Sequence, residues 1–172
     1  SGLLDLYTDD ELRFVLGHEC THIREAHVVT LTTIKFGESL LSAISPKASY
    51  PVNLLTQGFQ RHAEITCDRA GLLCSKDLGV SKRALAKLAL GSTKLYEEFD
   101  IEAFADQYEE GKQGFGKLTE ITASHPWLSK RMKALDAFAE SEIYRKHAGL
   151  GAGGLSMEQV DEKVHEIIKV VG

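Results

Sequence analysis

Apolar residues recur along this chain at helical rather than strand spacing. Leu12, Val15, Leu16 and Ile23 share one face of a helix predicted over residues 9–26. Its start is marked by Thr8-Asp9-Asp10-Glu11, a capping box in which the Thr hydroxyl and the Glu carboxylate satisfy each other's backbone donors. Three acidic side chains in the first turn suit the positive end of the helix dipole. A second helix is predicted over residues 30–44, stopped by Pro46, and a third over residues 54–75. Ser81 reads as the cap of a fourth, with Ala84, Leu85, Leu88 and Ala89 on one face and Gly91 near its end. A short helix over residues 101–109 and a long one over residues 126–147 follow, the latter with Met132, Leu135 and Phe138 inward. Ser156-x-x-Gln159 caps a last helix with Val160, Val164, Ile167 and Ile168 together. Residues 111–116 are glycine-rich without phosphate-loop spacing and read as a flexible rim. The pattern therefore predicts a mainly α chain with little or no β-sheet. It divides into a domain over residues 1–148 and a glycine linker with a C-terminal helix over 149–172.

Composition narrows the class. A chain of 172 residues is long enough for one domain with a real core. A net charge of −5 with scattered basic residues gives no case for nucleic-acid binding. Lys76, Lys82, Arg83 and Lys87 are expected on a solvated helix face. Three cysteines make no disulfide framework: Cys67 and Cys74, seven apart on one helix, are expected in the core. Free thiols in odd number suit a reducing compartment, so the expected location is cytoplasmic. No stretch reads as a signal peptide or a membrane span. The most apolar segment, residues 26–46, is interrupted by His27, Lys35 and Glu38 and is expected to pack against the domain. Nothing in the sequence fixes an oligomeric state.

The chemistry lies on two of these helices. His18-Glu19-Cys20-Thr21-His22 is an HExxH motif. Residues four apart share a helix face, so both imidazoles can bind one metal ion. Glu19, about 100° further round, is in position to take a proton from a metal-bound water. Cys20 points elsewhere on the helix. A catalytic zinc takes three protein ligands, and the best candidate for the third is Glu64, four residues before Asp68 on another helix. At that spacing Glu64 can ligate while Asp68 accepts a hydrogen bond from the free ring nitrogen of a ligand histidine. Two His and one Glu favour zinc over other divalent ions. His27, His147 and His165 lack metal spacing to one another and are expected at the surface; His62, two before Glu64, faces away from it.

Four ordered stretches carry a resemblance. Ser1-Gly2-Leu3-Leu4 with Asp9-Asp10-Glu11-Leu12, then HExxH, then Glu64-x-x-Cys67-Asp68-Arg69, then Ser124-His125-Pro126 with Lys130-Arg131 are collinear from about residue 1 to 135. Together they resemble gluzincin zinc metalloendopeptidases of the HtpX and CAAX prenyl protease type, with Cys67 where that group usually has Ala. The resemblance implies a zincin-like peptidase domain with one zinc per chain held by His18, His22 and Glu64. It makes Glu19 the general base and acid, activating a zinc-bound water, and Asp68 the partner of a ligand histidine. It offers His125 as a donor to the oxyanion, against the plainer reading of an N-cap before Pro126. Arg131 is expected as an ion-pair partner beside the site. The implied substrates are extended or unfolded polypeptides. In this class strands usually precede the HExxH helix, so the chain reads as a fragment lacking them, with any membrane attachment carried by segments outside it. The competing reading is a non-catalytic zinc scaffold or regulatory domain derived from such a protease. A metal-free helical interaction module would require four collinear motifs to be coincidence.

Overall fold

Thr8 opens the first helix as its capping box predicts: its hydroxyl accepts from the Glu11 amide while the Glu11 carboxylate accepts from the Thr8 amide. The computed structural model describes residues 6–90 and 128–169. Among these residues there are seven helices: α1 (Asp9–Arg24), α2 (His27–Ile44), α3 (Pro46–Ser75), α4 (Leu78–Leu90), α5 (Leu128–Ala139), α6 (Glu142–His147) and α7 (Met157–Ile168). The described residues contain no strand, only an isolated bridge between Ser141 and Leu155. The mainly α expectation therefore holds. The short helix over residues 101–109, the loop at 111–116 and the Ser124-His125-Pro126 segment lie outside the described residues.

The core gathers Phe14, Val15, Ile65, Leu72, Leu85, Met132, Leu135 and Phe138 from α1, α3, α4 and α5. The buried face of α1 is rotated from the one the apolar pattern suggested: Val15 is buried and Leu12 packs on the core as expected. Leu16 and Ile23 are exposed, and the inward positions are Glu11, Phe14, Val15, His18 and Thr21. Polar residues occupy this face because they meet partners there. Glu11 takes Lys87 Nζ at 2.8 Å from α4, and Lys87 also donates to the Leu6 carbonyl at 3.2 Å. Lys87 is thus buried, not part of a solvated face.

Two glycines let α1 and α3 cross closely. A Cβ on Gly71 would stand 2.7 Å from a Phe14 ring carbon and 2.8 Å from the Phe14 carbonyl oxygen; one on Gly17 would meet Cys74 Sγ at 2.7 Å. This close approach brings the two motif-bearing helices within side-chain reach. Cys74 itself is exposed, against the expectation for it, while Cys67 is fully buried.

Several boundaries differ from the pattern for local reasons. α3 starts at Pro46, not at residue 54, because proline suits the first helical position, where its missing N–H has no helical partner. Asp77, not Ser81, caps α4: its Oδ1 accepts from the Val80 amide at 2.8 Å, and Ser81 is buried inside the helix. The long helix expected to 147 breaks at residue 140. Ser141 recaps the chain by accepting from the Tyr144 amide, and Leu155 exchanges backbone hydrogen bonds with Glu140 and Glu142.

The glycines at 149, 151, 153 and 154 all take positive φ and turn the chain back. α7 then docks on α5 through Val160, Val164 and Ile168, each buried. Burial of such side chains contributes roughly 1.5–3 kcal/mol each. An Arg69–Asp161 pair at 2.7 Å ties α7 to α3 as well.

The α2 helix and the first half of α3 pair with each other but bury little. His27 is the one buried residue of α2, while Val28, Val29, Phe36, Leu40 and Ile44 are exposed, Ile44 by 84%. The segment therefore packs on the domain only at its base. No helix among the described residues is long and apolar enough to cross a membrane.

Candidate metal centre

His18 and His22, one turn apart on α1, direct Nε2 toward each other at 3.1 Å. From α3, Glu64 brings one carboxylate oxygen to 3.6 Å from His18 Nε2 and the other to 3.5 Å from His22 Nε2. Donor atoms held about 2.0–2.2 Å from one ion at tetrahedral angles lie roughly 3.3–3.6 Å apart. The two Glu64 separations fall in that range and the 3.1 Å between the histidines is slightly shorter, so the group is close to the spacing a single zinc-sized ion needs. His18 and Glu64 are buried, and His22 is partly buried.

Behind this triangle stands a carboxylate. Asp68 Oδ1 lies 3.0 Å from His18 Nδ1, so it can accept that ring's proton and leave Nε2 free. Arg131, from α5, grips Asp68 with two hydrogen bonds: Nε to Oδ2 at 2.8 Å and Nη2 to Oδ1 at 2.7 Å. Its Nη2 also reaches Glu64 at 3.1 Å. Burial would raise the Asp68 carboxyl, but the Arg131 charge and the hydrogen bonds from Arg131 and His18 outweigh it and hold the group below the usual carboxylate range. The same carboxylates raise the Arg131 pKa against the opposing effect of burial, so its charge is secure. Three helices thus meet in one ionic unit: α1 supplies the imidazoles, α3 the carboxylates and α5 the cation.

Burial draws the His22 pKa down more than Glu64 draws it up, and His18 pushes it down further. A depressed pKa favours the neutral ring, the form that can donate a lone pair. Glu19, between the two histidines in sequence, is exposed on α1. Cys67 Sγ also lies within 4.8 Å of donor atoms on both histidines. Burial and the nearby Glu64 and Asp68 charges push that thiol up to about 12, which keeps it protonated. Glu64 offers a separate oxygen toward each histidine.

The sequence pattern anticipated the meeting of His18, His22, Glu64, Asp68 and Arg131. His125 lies outside the described residues. His62 is exposed, with Nδ1 2.9 Å from the Gly58 carbonyl, and His147 and His165 are exposed as expected. His27 is the exception: it is only 7% exposed, and its Nδ1 lies 3.2 Å from His22 Nδ1. No spacing rule could find it, because it belongs to the next helix. The left-handed turn at Ala26 (φ 53°) folds it back.

The sequence is similar to those of known peptidases. A protein of Arabidopsis thaliana, the plastoglobule-localized metallopeptidase 48, chloroplastic, is 28% identical over 156 residues, covering 84% of this chain and 45% of the relative. Protease HtpX of Aliivibrio salmonicida is 27% identical over 172 residues, covering 78% of this chain and 56% of the relative, and that of Aliivibrio fischeri matches to the same extent. The chain spans about half the length of these curated relatives. No solved structure gives a significant match. Residues 1–139 match the family model for Peptidase family M48, and with the two motif helices meeting as described, the chain belongs to that family.

Proposed function

We propose that this chain is the catalytic part of a zinc-dependent metalloendopeptidase acting on extended or unfolded polypeptides. The observation that carries the reading is the triangle of His18 Nε2, His22 Nε2 and the Glu64 carboxylate, with sides of 3.1–3.6 Å. These three residues would hold one zinc per chain. The ion, when bound, supplies an acidified water and a Lewis acid for the scissile carbonyl.

The remaining work falls to side chains of the chain itself. Glu19, exposed beside the ligand histidines, takes a proton from the attacking water and passes it to the leaving amine. Asp68 keeps the proton of His18 on Nδ1, and Arg131 keeps Asp68 ionised and in place. His125 is given the oxyanion role on its Ser-His-Pro motif alone. Three free thiols, Cys20, Cys67 and Cys74, support a reducing, cytoplasmic location.

Glu19→Gln tests the reading. The variant should keep the metal and lose peptide hydrolysis by about 10²–10⁴-fold. A variant that cleaved as fast as the parent would show that Glu19 is not the general base and would overturn this mechanism; a parent that binds zinc but cleaves no peptide would leave the cluster a structural metal site in a scaffold domain.

A further inference from the structure

We propose that His27 is the positioning residue for His22, as Asp68 is for His18, and that the Cys67 thiol completes the device. The assignment rests on the metal reading of His18, His22 and Glu64.

Proton counting carries the argument. Both motif histidines present Nε2 to the Glu64 carboxylate. A neutral imidazole that offers the Nε2 lone pair carries its one proton on Nδ1. His18 gives that proton to Asp68 Oδ1 at 3.0 Å. For His22 Nδ1 the partner is His27 Nδ1 at 3.2 Å. Two ring nitrogens share one proton, so His22 Nδ1–H donates and His27 Nδ1 accepts, which puts the His27 proton on Nε2. Cys67 Sγ is buried and lies 3.6 Å from the same Nδ1, within reach for a weak S–H donor. The His22 N–H, the shorter of the two contacts, takes the Nδ1 lone pair and fixes the tautomer of His27, with the thiol lying beside the same atom.

The ring is held for this purpose. The His27 ring meets His22 edge-on at a centroid distance of 5.2 Å and Phe59 edge-on at 5.7 Å. Ala26 turns the chain through the left-handed region, a conformation that strains a non-glycine residue. That strain is what returns the first residue of α2 to the side of His22. A neutral imidazole is a weaker acceptor than a carboxylate, so the two ligand histidines are supported unequally.

The test uses the full chain and four variants: His27→Ala, His27→Asn, Cys67→Ala and Glu64→Ala. Zinc affinity is measured by competition with a chromophoric chelator, and thermal midpoints are recorded alongside. His27→Ala should bind zinc about 10–100-fold more weakly, the usual cost of losing the partner of a ligand histidine. His27→Asn places a carbonyl oxygen where Nδ1 stood and should recover most of that affinity, which a purely structural role would not predict. Cys67→Ala should change affinity only a few-fold. Equal affinity in His27→Ala and parent overturns the proposal, as does an Asn variant no better than the Ala one. A thiolate-to-metal charge-transfer band in the cobalt-loaded parent, lost in Cys67→Ala, would also overturn it, because Cys67 would then be a ligand. If Glu64→Ala binds zinc like the parent, the ligand set itself is wrong and the role of His27 falls with it.

Discussion

Asp68 Oδ1 stands 3.0 Å from His18 Nδ1, fifty residues away in sequence, and this contact adds a buried hydrogen bond to the apolar packing that joins the two motif helices. The same carboxylate is clasped by Arg131, so a single buried anion orients a metal-facing ring and anchors α5. Asp68→Asn removes the charge and most of the pull on the His18 proton. Zinc affinity should fall about 10–100-fold. Stability should fall as well, because among the described residues the buried Arg131 then keeps only Glu64 as counter-charge. Chelator competition measures the first effect and urea unfolding the second. A variant with parental zinc affinity would show that Asp68 serves the fold alone.

Gly71 should tolerate no side chain. A Cβ there would meet the Phe14 carbonyl oxygen at 2.8 Å, a backbone atom that cannot swing aside. Gly71→Ala should therefore push α1 from α3 and cost about 1–3 kcal/mol, the range for overpacking a close contact. It should also loosen the metal site, since the triangle spans these two helices. Urea unfolding with zinc titration checks both. Parental values in both would mean that the helix crossing adapts freely.

Acid should unfold the chain partly through Glu11. Burial would raise its carboxyl, but the hydrogen bonds from Lys87 and Thr8 outweigh it and hold the group below its usual value. A depressed folded-state pKa means stability is fully present above the unfolded carboxylate value of about 4.3 and is lost as pH falls through the folded value. The urea midpoint should thus hold near neutral pH and drop on the acid side of about pH 4. Glu11→Gln should lower the plateau and flatten part of that drop. An unchanged acid limb in the variant would contradict the assignment.

Much of this arrangement was legible in the chain, and the parts that were not have physical causes. The Thr8 and Ser156 capping boxes are local, and both formed as their residue types require. The spacings of His18 with His22 and of Glu64 with Asp68 named two helix faces, because four residues make nearly one turn. What spacing could not supply was which way each helix would face. Glu11 and Lys87 lie inward because they neutralise each other across α1 and α4, so their charge hid their burial. Leu16 and Ile23, apolar and correctly phased, face out because the glycines at 17 and 71 fix the crossing on a different side. His27 was misplaced at the surface because its position depends on a single left-handed residue between helices, and Ala at position 26 gives no sign of one.

The metal content of the purified chain, parent against Glu64→Ala, tests the central claim most directly. One zinc per parent chain after gel filtration, lost in the variant while its helical signal stays, is the expected result. A parent that takes up no zinc at neutral pH, or a Glu64→Ala chain that retains it as tightly, would contradict the assignment of His18, His22 and Glu64 as the metal centre.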